Sequence, residues 1–438
     1  MLLSSAAWRY LLAAIACLCL TEKAFSQVKQ TLSKQGTMES KTLFRTTVCV
    51  MGAGPAGIVL GNILQQNGVD CIVVDKHSRN EIYARGRAGT IESTTVNLLK
   101  KHKLADVLIR EGKRQGKCEF RGADFQVVFQ YDELSGGDTH CIYPQSKLND
   151  SFIQSYLDAG GKLLFRCEGK TLTQSDSSVT VECFDEGTDS TISIEADFVA
   201  GCDGYHGLSR ASIPEASAQS YRKQYSYRWL AILAYAPPST EHGIYAFPSA
   251  GFAAYLLRDR KVARYYLQIP SADKVEDWPD ERVWDALHTR LAKEGWQLVE
   301  GEIFDKRTMA LRNYVMEPLR HQRLFIAGDA AHIITPMGGK GLNLAIQDAE
   351  ALAETLIDFF DQKRQSLSYL DRYSDVRLPY IWRAQEFSCS LLNMLHRPEG
   401  QNLEAVQFEQ QLNKSKLSQL MTSKTFARDF ARNFVGIV

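Results

Sequence analysis

Three glycines and one carboxylate are spaced for phosphate chemistry. Gly52-Ala53-Gly54-Pro55-Ala56-Gly57 follows the β-branched, apolar run Thr47-Val48-Cys49-Val50-Met51. Residues 58–64 behind it read as a helix, and Cys71-Ile72-Val73-Val74 reads as a second strand ending on Asp75, 23 residues past Gly52. In such a unit the first glycine permits the tight turn and the second lets the backbone approach a pyrophosphate. The third lets helix and strand pack closely. The helix N-terminus faces the phosphates, and Asp75 is placed to accept a hydrogen bond from a ribose 2′-OH. The unit predicts a dinucleotide site, for FAD or NAD.

Two later motifs choose between them. Ala196-Asp197-Phe198-Val199-Ala200-Gly201 is strand-like and leads into Cys202-Asp203-Gly204. Leu324-Phe325-Ile326-Ala327-Gly328-Asp329 is a second strand ending in Gly-Asp, followed by Ala330-Ala331-His332. After it come Pro336, Gly338-Gly339-Lys340-Gly341 and an amphipathic helix from Leu342 onward. A carboxylate just after a strand, as at Asp329, suits the ribityl hydroxyls of a flavin. A helix N-terminus at Gly341 can aim its dipole at the pyrimidine edge of the ring, where negative charge gathers on reduction. A simple NAD dehydrogenase has no use for these distant elements, so FAD is the expected cofactor.

The ordered set G-x-G-x-x-G, D-G and G-D, about 150 and 125 residues apart, resembles that of the class A flavoprotein aromatic hydroxylases. The segments GCDGYHGLSR, RYYLQIP, KVEDWPDERVW, RLFIAGDAAHI and KGLNLA extend the resemblance from about residue 47 to residue 438. It implies an α/β fold in which a Rossmann-like FAD-binding domain carries an inserted β-sheet substrate domain and C-terminal helices. It also implies a reaction. NADPH (or NADH) reduces FAD, and O2 then forms a flavin C4a-hydroperoxide. That species hydroxylates a small aromatic acid ortho to a hydroxyl, 4-hydroxybenzoate to 3,4-dihydroxybenzoate in the first instance.

Carried over position by position, the resemblance puts the phenol-contacting tyrosine at Tyr245, the carboxylate-binding arginine at Arg258 and its tyrosine companion at Tyr266. It places Arg87, Gln145 and Asp329 against FAD, Gly341, Leu342 and Asn343 beside the ring, and the Pro336 carbonyl toward the reactive edge of the substrate. His206 and Arg312 match nicotinamide-binding positions, and Lys76 and His77 suit a 2′-phosphate. His332 is expected to be structural. Periodicity supports part of this independently. Residues 251–258 and 263–269 read as adjacent strands around Asp259-Arg260-Lys261, with Leu256 and Arg258 on one face of the first and Arg264 and Tyr266 on one face of the second.

Five positions depart from the family pattern. Leu256 stands for a serine at the carboxylate, Gly243 for a pocket leucine and Met337 for a threonine beside the flavin. Phe434 and Gln115 stand for a tyrosine and a histidine that relay the phenol proton to solvent, and neither carries a proton at neutral pH. Another benzoate, such as 4-aminobenzoate, is the alternative substrate, because an arylamine needs no phenol deprotonation. A halogenase or reductase on the same scaffold, or a non-catalytic flavoprotein, are the rival readings.

The elements that must hold these residues fall into an extension (1–43), a first FAD-binding part (44–218) with a β segment near 118–143, a substrate domain (219–313), a second FAD-binding part (314–357) and a helical region (358–438) interrupted at Pro398-Glu399-Gly400. Of the 438 residues, 45% are hydrophobic, enough for a large core. Lys+Arg and Asp+Glu are both 51, which argues against a nucleic-acid partner or a polybasic membrane surface. No apolar stretch is long enough to span a bilayer. The ten cysteines form no C-x-x-C pair and no zinc spacing, so buried reduced thiols and no metal are expected. Residues 1–26 have signal-peptide grammar, yet Met38 offers a second start. A cytoplasmic enzyme is the favoured reading and export the alternative. The family is commonly dimeric, which makes a homodimer the expectation.

Overall fold

The computed structural model describes residues 42–85, 89–122, 125–258, 260–362, 366–397 and 402–436. Residues 1–41, Arg87 and the segment Pro398-Glu399-Gly400 lie outside the described residues.

Val48, Cys49, Val50 and Met51 are buried on both faces of the strand Thr42–Met51, the pattern of a strand inside a parallel sheet. It pairs in parallel with Ser190–Gly201 on one side and Cys71–Asp75 on the other. Leu324–Ile326 and Lys162–Phe165 extend the sheet outward, also in parallel. The helix Pro55–Gln66 starts directly after the glycine turn with proline in its first turn, where a missing N–H costs nothing. It packs against the helices Gln145–Asp158 and Lys340–Asp361. The second of the two motif strands ends at Ile326, shorter than expected, and both it and the strand ending at Gly201 deliver their Gly-Asp and Asp-Gly turns to the same edge as the glycine loop.

A second sheet of eight strands runs in the order His332–Ile333, Glu302–Glu317, Gln219–Tyr235, Ala263–Pro270, Ala253–Leu257, Gly243–Ala246, Lys117–Arg121, Gln126–Gln130. The α/β class and its inserted β-sheet are thus as expected. Part of the early β segment joins this second sheet, because Lys117–Arg121 pairs in parallel with Gly243–Ala246. A small third sheet sets His140–Ile142 between Thr90–Ile91 and Lys113–Gln115. The helices Arg372–Leu395, Leu403–Thr422 and Lys424–Val435 close one side, burying Leu391, Leu395, Phe430 and Phe434 against the second sheet.

His332 is structural, as expected. Its Nε2 lies 2.6 Å from Asp348, which also accepts from the Gly328 amide and from Arg377. The His332 and Arg377 side chains beside it more than offset burial and hold the Asp348 carboxyl below the usual carboxylate range. That buried cluster fixes the turn carrying Asp329. Eight described cysteines are free, six of them buried. Among the described residues no group of side chains could hold a metal, and no helix is long and apolar enough to cross a membrane.

Candidate functional site

The three glycines of the first motif do different work. Gly52 has φ +101°, and a Cβ there would lie 2.4 Å from the Cys202 carbonyl oxygen. A Cβ on Gly57 would lie 1.9 Å from the Gly52 oxygen. Both are required by the chain's own packing. Gly54 has an ordinary φ of −69° and nothing within 4 Å of where a Cβ would project. The space over Gly54 is one the fold keeps clear for something else, at the N-terminus of a 12-residue helix. Asp75 is more committed than the motif alone suggests. Its Oδ2 accepts from the Ala53 amide and its Oδ1 from the His77 amide, both at 2.8 Å, so it braces the glycine loop. Two buried acceptors beside this loop, Asn149 Oδ1 and Asp203 Oδ1, have no partner. Buried acceptors are rarely left unpaired, and a nucleotide's hydroxyl and amino donors suit them.

The loop 336–339 leads into the helix Lys340–Asp361 with Gly338 at φ +78° and Gly339 at φ +68°, conformations that favour glycine. Gly341 and Leu342 are half-buried in its first turn, their amides without intrahelical acceptors. The Asn343 side chain is committed within the protein. Its amide donates to the carbonyls of Thr90 and Gly339 and accepts from the Glu92 N–H, so it is a clamp between helix and strand. Lys340 is buried and turned to Glu92 and the C-terminal carbonyls of Asn433 and Phe434. Gln145 opens its helix next to Gly89, and Asp329 sits half-buried in the turn Gly328–Ala330.

Against this loop lies a cavity walled by the second sheet, the third sheet and the C-terminal helix. Tyr245, Arg258, Arg264, Tyr266, Leu256, Gly243, Gln115, Phe434, Pro336 and Met337 all line it. Sequence periodicity placed the strand faces correctly. Leu256 pairs with Arg264 and Ala254 with Tyr266, and Arg258 follows the last strand residue. Arg264 donates to the Tyr266 hydroxyl at 3.3 Å. Tyr245 is half-buried against Phe120, and desolvation pushes its phenol well above the usual tyrosine range. It therefore presents a protonated hydroxyl. The Pro336 carbonyl accepts from the Gly339 amide, which leaves one lone-pair direction open.

Two of the five departures are met by a specific side chain on a neighbouring strand. A Cβ on Gly243 would come within 3.1 Å of Leu256 Cδ2, so the leucine at 256 fills the space that a side chain at 243 would take. Gln115 pairs directly with His140 across the ladder, so an imidazole stands one strand away from the position that lacks it. We expect Gly243→Leu alone to cost about 1–3 kcal/mol through overpacking. Adding Leu256→Ser should recover on the order of 1 kcal/mol or more as a coupling energy. Urea unfolding of the two single variants and the double variant checks this; strictly additive costs would show that the positions do not share space.

His206 and Arg312 are brought together around Tyr205. His206 meets that ring edge-on with centroids 5.0 Å apart, and the Arg312 guanidinium lies 4.2 Å over it. Arg210, which sequence reasoning missed, stacks on the same ring at 4.1 Å. Also missed were Trp229, Tyr131 and His140 in the cavity wall. No local motif marks them; only strand register brings them in.

A model described as a FAD binding domain matches residues 45–388. The chain is 34% identical over 396 residues to the p-hydroxybenzoate hydroxylase of Acinetobacter baylyi, covering 90% of this chain and 96% of that one. It is 24% identical to a tetracenomycin A2 monooxygenase-dioxygenase of Streptomyces glaucescens over 76% of this chain and 65% of the other. In fold it is similar to a p-nitrophenol 4-monooxygenase of Pseudomonas putida, with a TM-score of 0.73 at 17% identity over 90% of this chain and 98% of that structure. The cleared space over Gly54, the orphaned acceptors beside it and these matches agree, and the chain belongs to the FAD-binding-domain family of FAD-dependent aromatic hydroxylases.

Proposed function

We propose that the protein hydroxylates a small aromatic acid ortho to a para hydroxyl, 4-hydroxybenzoate to 3,4-dihydroxybenzoate, consuming NADPH and O2 and releasing NADP+ and water. The observation that carries this reading is one cavity in which Arg258, Arg264 and Tyr266 stand on paired strands while Tyr245 and the loop 336–339 complete the wall. A guanidinium meets a carboxylate bidentately and fixes the plane of the ring behind it.

FAD, when bound, supplies the redox chemistry that activates oxygen. The glycine loop and the Pro55–Gln66 helix N-terminus hold its pyrophosphate, with Gly52, Gly54, Gly57, Asp75, Gln145 and Asp329 on its nucleotide and ribityl parts. Arg87 belongs to the same proposed set. The first-turn amides at Gly341 and Leu342 meet the ring. On the substrate, Arg258 and Tyr266 hold the carboxylate, Tyr245 donates to the para group, and the Pro336 carbonyl faces the reactive edge. Trp229, Met337 and Phe434 exclude water from the remaining wall. His206 and Arg312 take the nicotinamide nucleotide. Lys76, His77 and Arg166 share a surface pocket after Asp75 that suits a 2′-phosphate, and two of its three carboxylates, Glu81 and Glu168, are already occupied by Ser78 and Lys170.

A second reading, 4-aminobenzoate or a related benzoate, is favoured by Phe434 and Gln115, because a pocket without the relay side chains suits a para group that keeps its protons. A panel of benzoates and neutral phenols, scored for NADPH oxidation and for hydroxylated product, tests both. Stimulation by 4-hydroxybenzoate with stoichiometric 3,4-dihydroxybenzoate is the expected result. Product from 4-aminobenzoate alone selects the second reading, and no acid-stimulated NADPH consumption ends both.

A further inference from the structure

His140 is 3% exposed, yet it lines the cavity. Its Nε2 lies 2.8 Å from the Phe434 carbonyl oxygen. A carbonyl only accepts, so Nε2 must carry the ring proton and the neutral ring's Nδ1 must be a bare acceptor. Lys340 binds the same Phe434 carbonyl, so cation and Nε2 meet at one corner and Nδ1 opens away from it. The Nε2 bond is the one hydrogen bond the ring makes to a described residue, and Nδ1 is not among the sealed polar atoms without partners. Tyr131 and Phe434 flank the ring, each with centroids 5.1 Å from it, and fix its plane. The Tyr131 hydroxyl donates to the Gln115 carbonyl and is not available to Nδ1.

Resting on the aromatic-acid reading above, we propose that His140 is a specificity-determining residue whose Nδ1 accepts a hydrogen bond from a donor on the bound aromatic acid, a phenol O–H or an arylamine N–H. The proton stays on the ligand. Burial, with the nearby Lys340 charge, lowers the imidazole to about 3, which makes it a good acceptor in the neutral form and a poor base. Tyr245 is held protonated on the same cavity wall, so the pocket offers one hydroxyl and one acceptor to a ligand group that retains its proton. Ligands without a donor leave Nδ1 unpaired and are disfavoured.

Two variants separate this role from a structural one. His140→Gln retains an N–H able to reach the Phe434 carbonyl and removes Nδ1; His140→Leu removes both. Calorimetric titration of the flavin-loaded protein with 4-hydroxybenzoate, 4-aminobenzoate, benzoate and 4-fluorobenzoate reads affinity without turnover. His140→Gln should weaken the two donor-bearing acids roughly three- to tenfold and leave benzoate and 4-fluorobenzoate unchanged. His140→Leu should show the same selectivity on top of any general loss. Equal weakening of all four acids, or no change for any, overturns the proposal while leaving the aromatic-acid reading standing. A wild-type protein that binds none of the four overturns both.

Discussion

A protein that folds normally but purifies without flavin is the expected product of Gly54→Val. Gly54 sits at φ −69°, where any residue is comfortable, and no protein atom lies within 4 Å of the position of its Cβ. The substitution therefore costs the chain little beyond a poorer helix N-cap, about 1 kcal/mol. What it does block is the approach of a pyrophosphate to the backbone amides. Each charge-assisted bond lost is worth about 1.5–3 kcal/mol, or roughly ten- to a hundredfold in affinity. The checks are the visible absorbance of the purified protein, for occupancy, and its circular dichroism and urea midpoint, for folding. Gly52→Val and Gly57→Val make the contrast, because their side chains would strike backbone oxygens at 2.4 and 1.9 Å and should impair folding itself. Normal flavin occupancy in Gly54→Val would remove the pyrophosphate from this loop.

How much of this was legible in the sequence follows from how local each signal is. The glycine loop, its flanking strands and Asp75 lie within 29 residues, Thr47 to Asp75, and each residue type has a backbone reason to be there, so the unit can be read without knowing the fold. Arg258, Arg264 and Tyr266 were legible at one remove: period-two alternation sets their faces, and the short turn between their strands sets the register. The relations that decide the pocket's chemistry were not legible. Leu256 and Gly243 exchange volume across a 13-residue separation, and Gln115 and His140 pair across 25. Read one position at a time, Gly243 and Gln115 look like losses. Only the strand pairing shows what faces them. Asn343 shows the same limit: its motif does not reveal that its buried side-chain amide meets Thr90, Gly339 and Glu92.

Arg258→Ala carries the other large effect, and it discriminates among ligands. A guanidinium at the cavity rim attracts a carboxylate through parallel hydrogen bonds that an alanine cannot replace, and Arg264 on the paired strand adds charge of the same sign to that end of the cavity. Truncating one partner of a partly desolvated charge pair costs about 2–4 kcal/mol. The dissociation constant of 4-hydroxybenzoate should therefore rise roughly 30- to 700-fold. Neutral phenols of the same shape should change little, because their ring contacts, Trp229 and Tyr245 among them, are untouched. Arg258→Lys should recover only part of the loss, since an ammonium keeps the charge without the two-pronged geometry. The measurement is ligand titration of the flavin-loaded protein followed by the visible spectrum, run in parallel with 4-hydroxybenzoate and with 4-methylphenol. Equal weakening of acid and neutral phenol would mean that Arg258 supports the wall of the cavity rather than the carboxylate. An unchanged acid affinity would move the anchor to Arg264, whose guanidinium already reaches the Tyr266 hydroxyl.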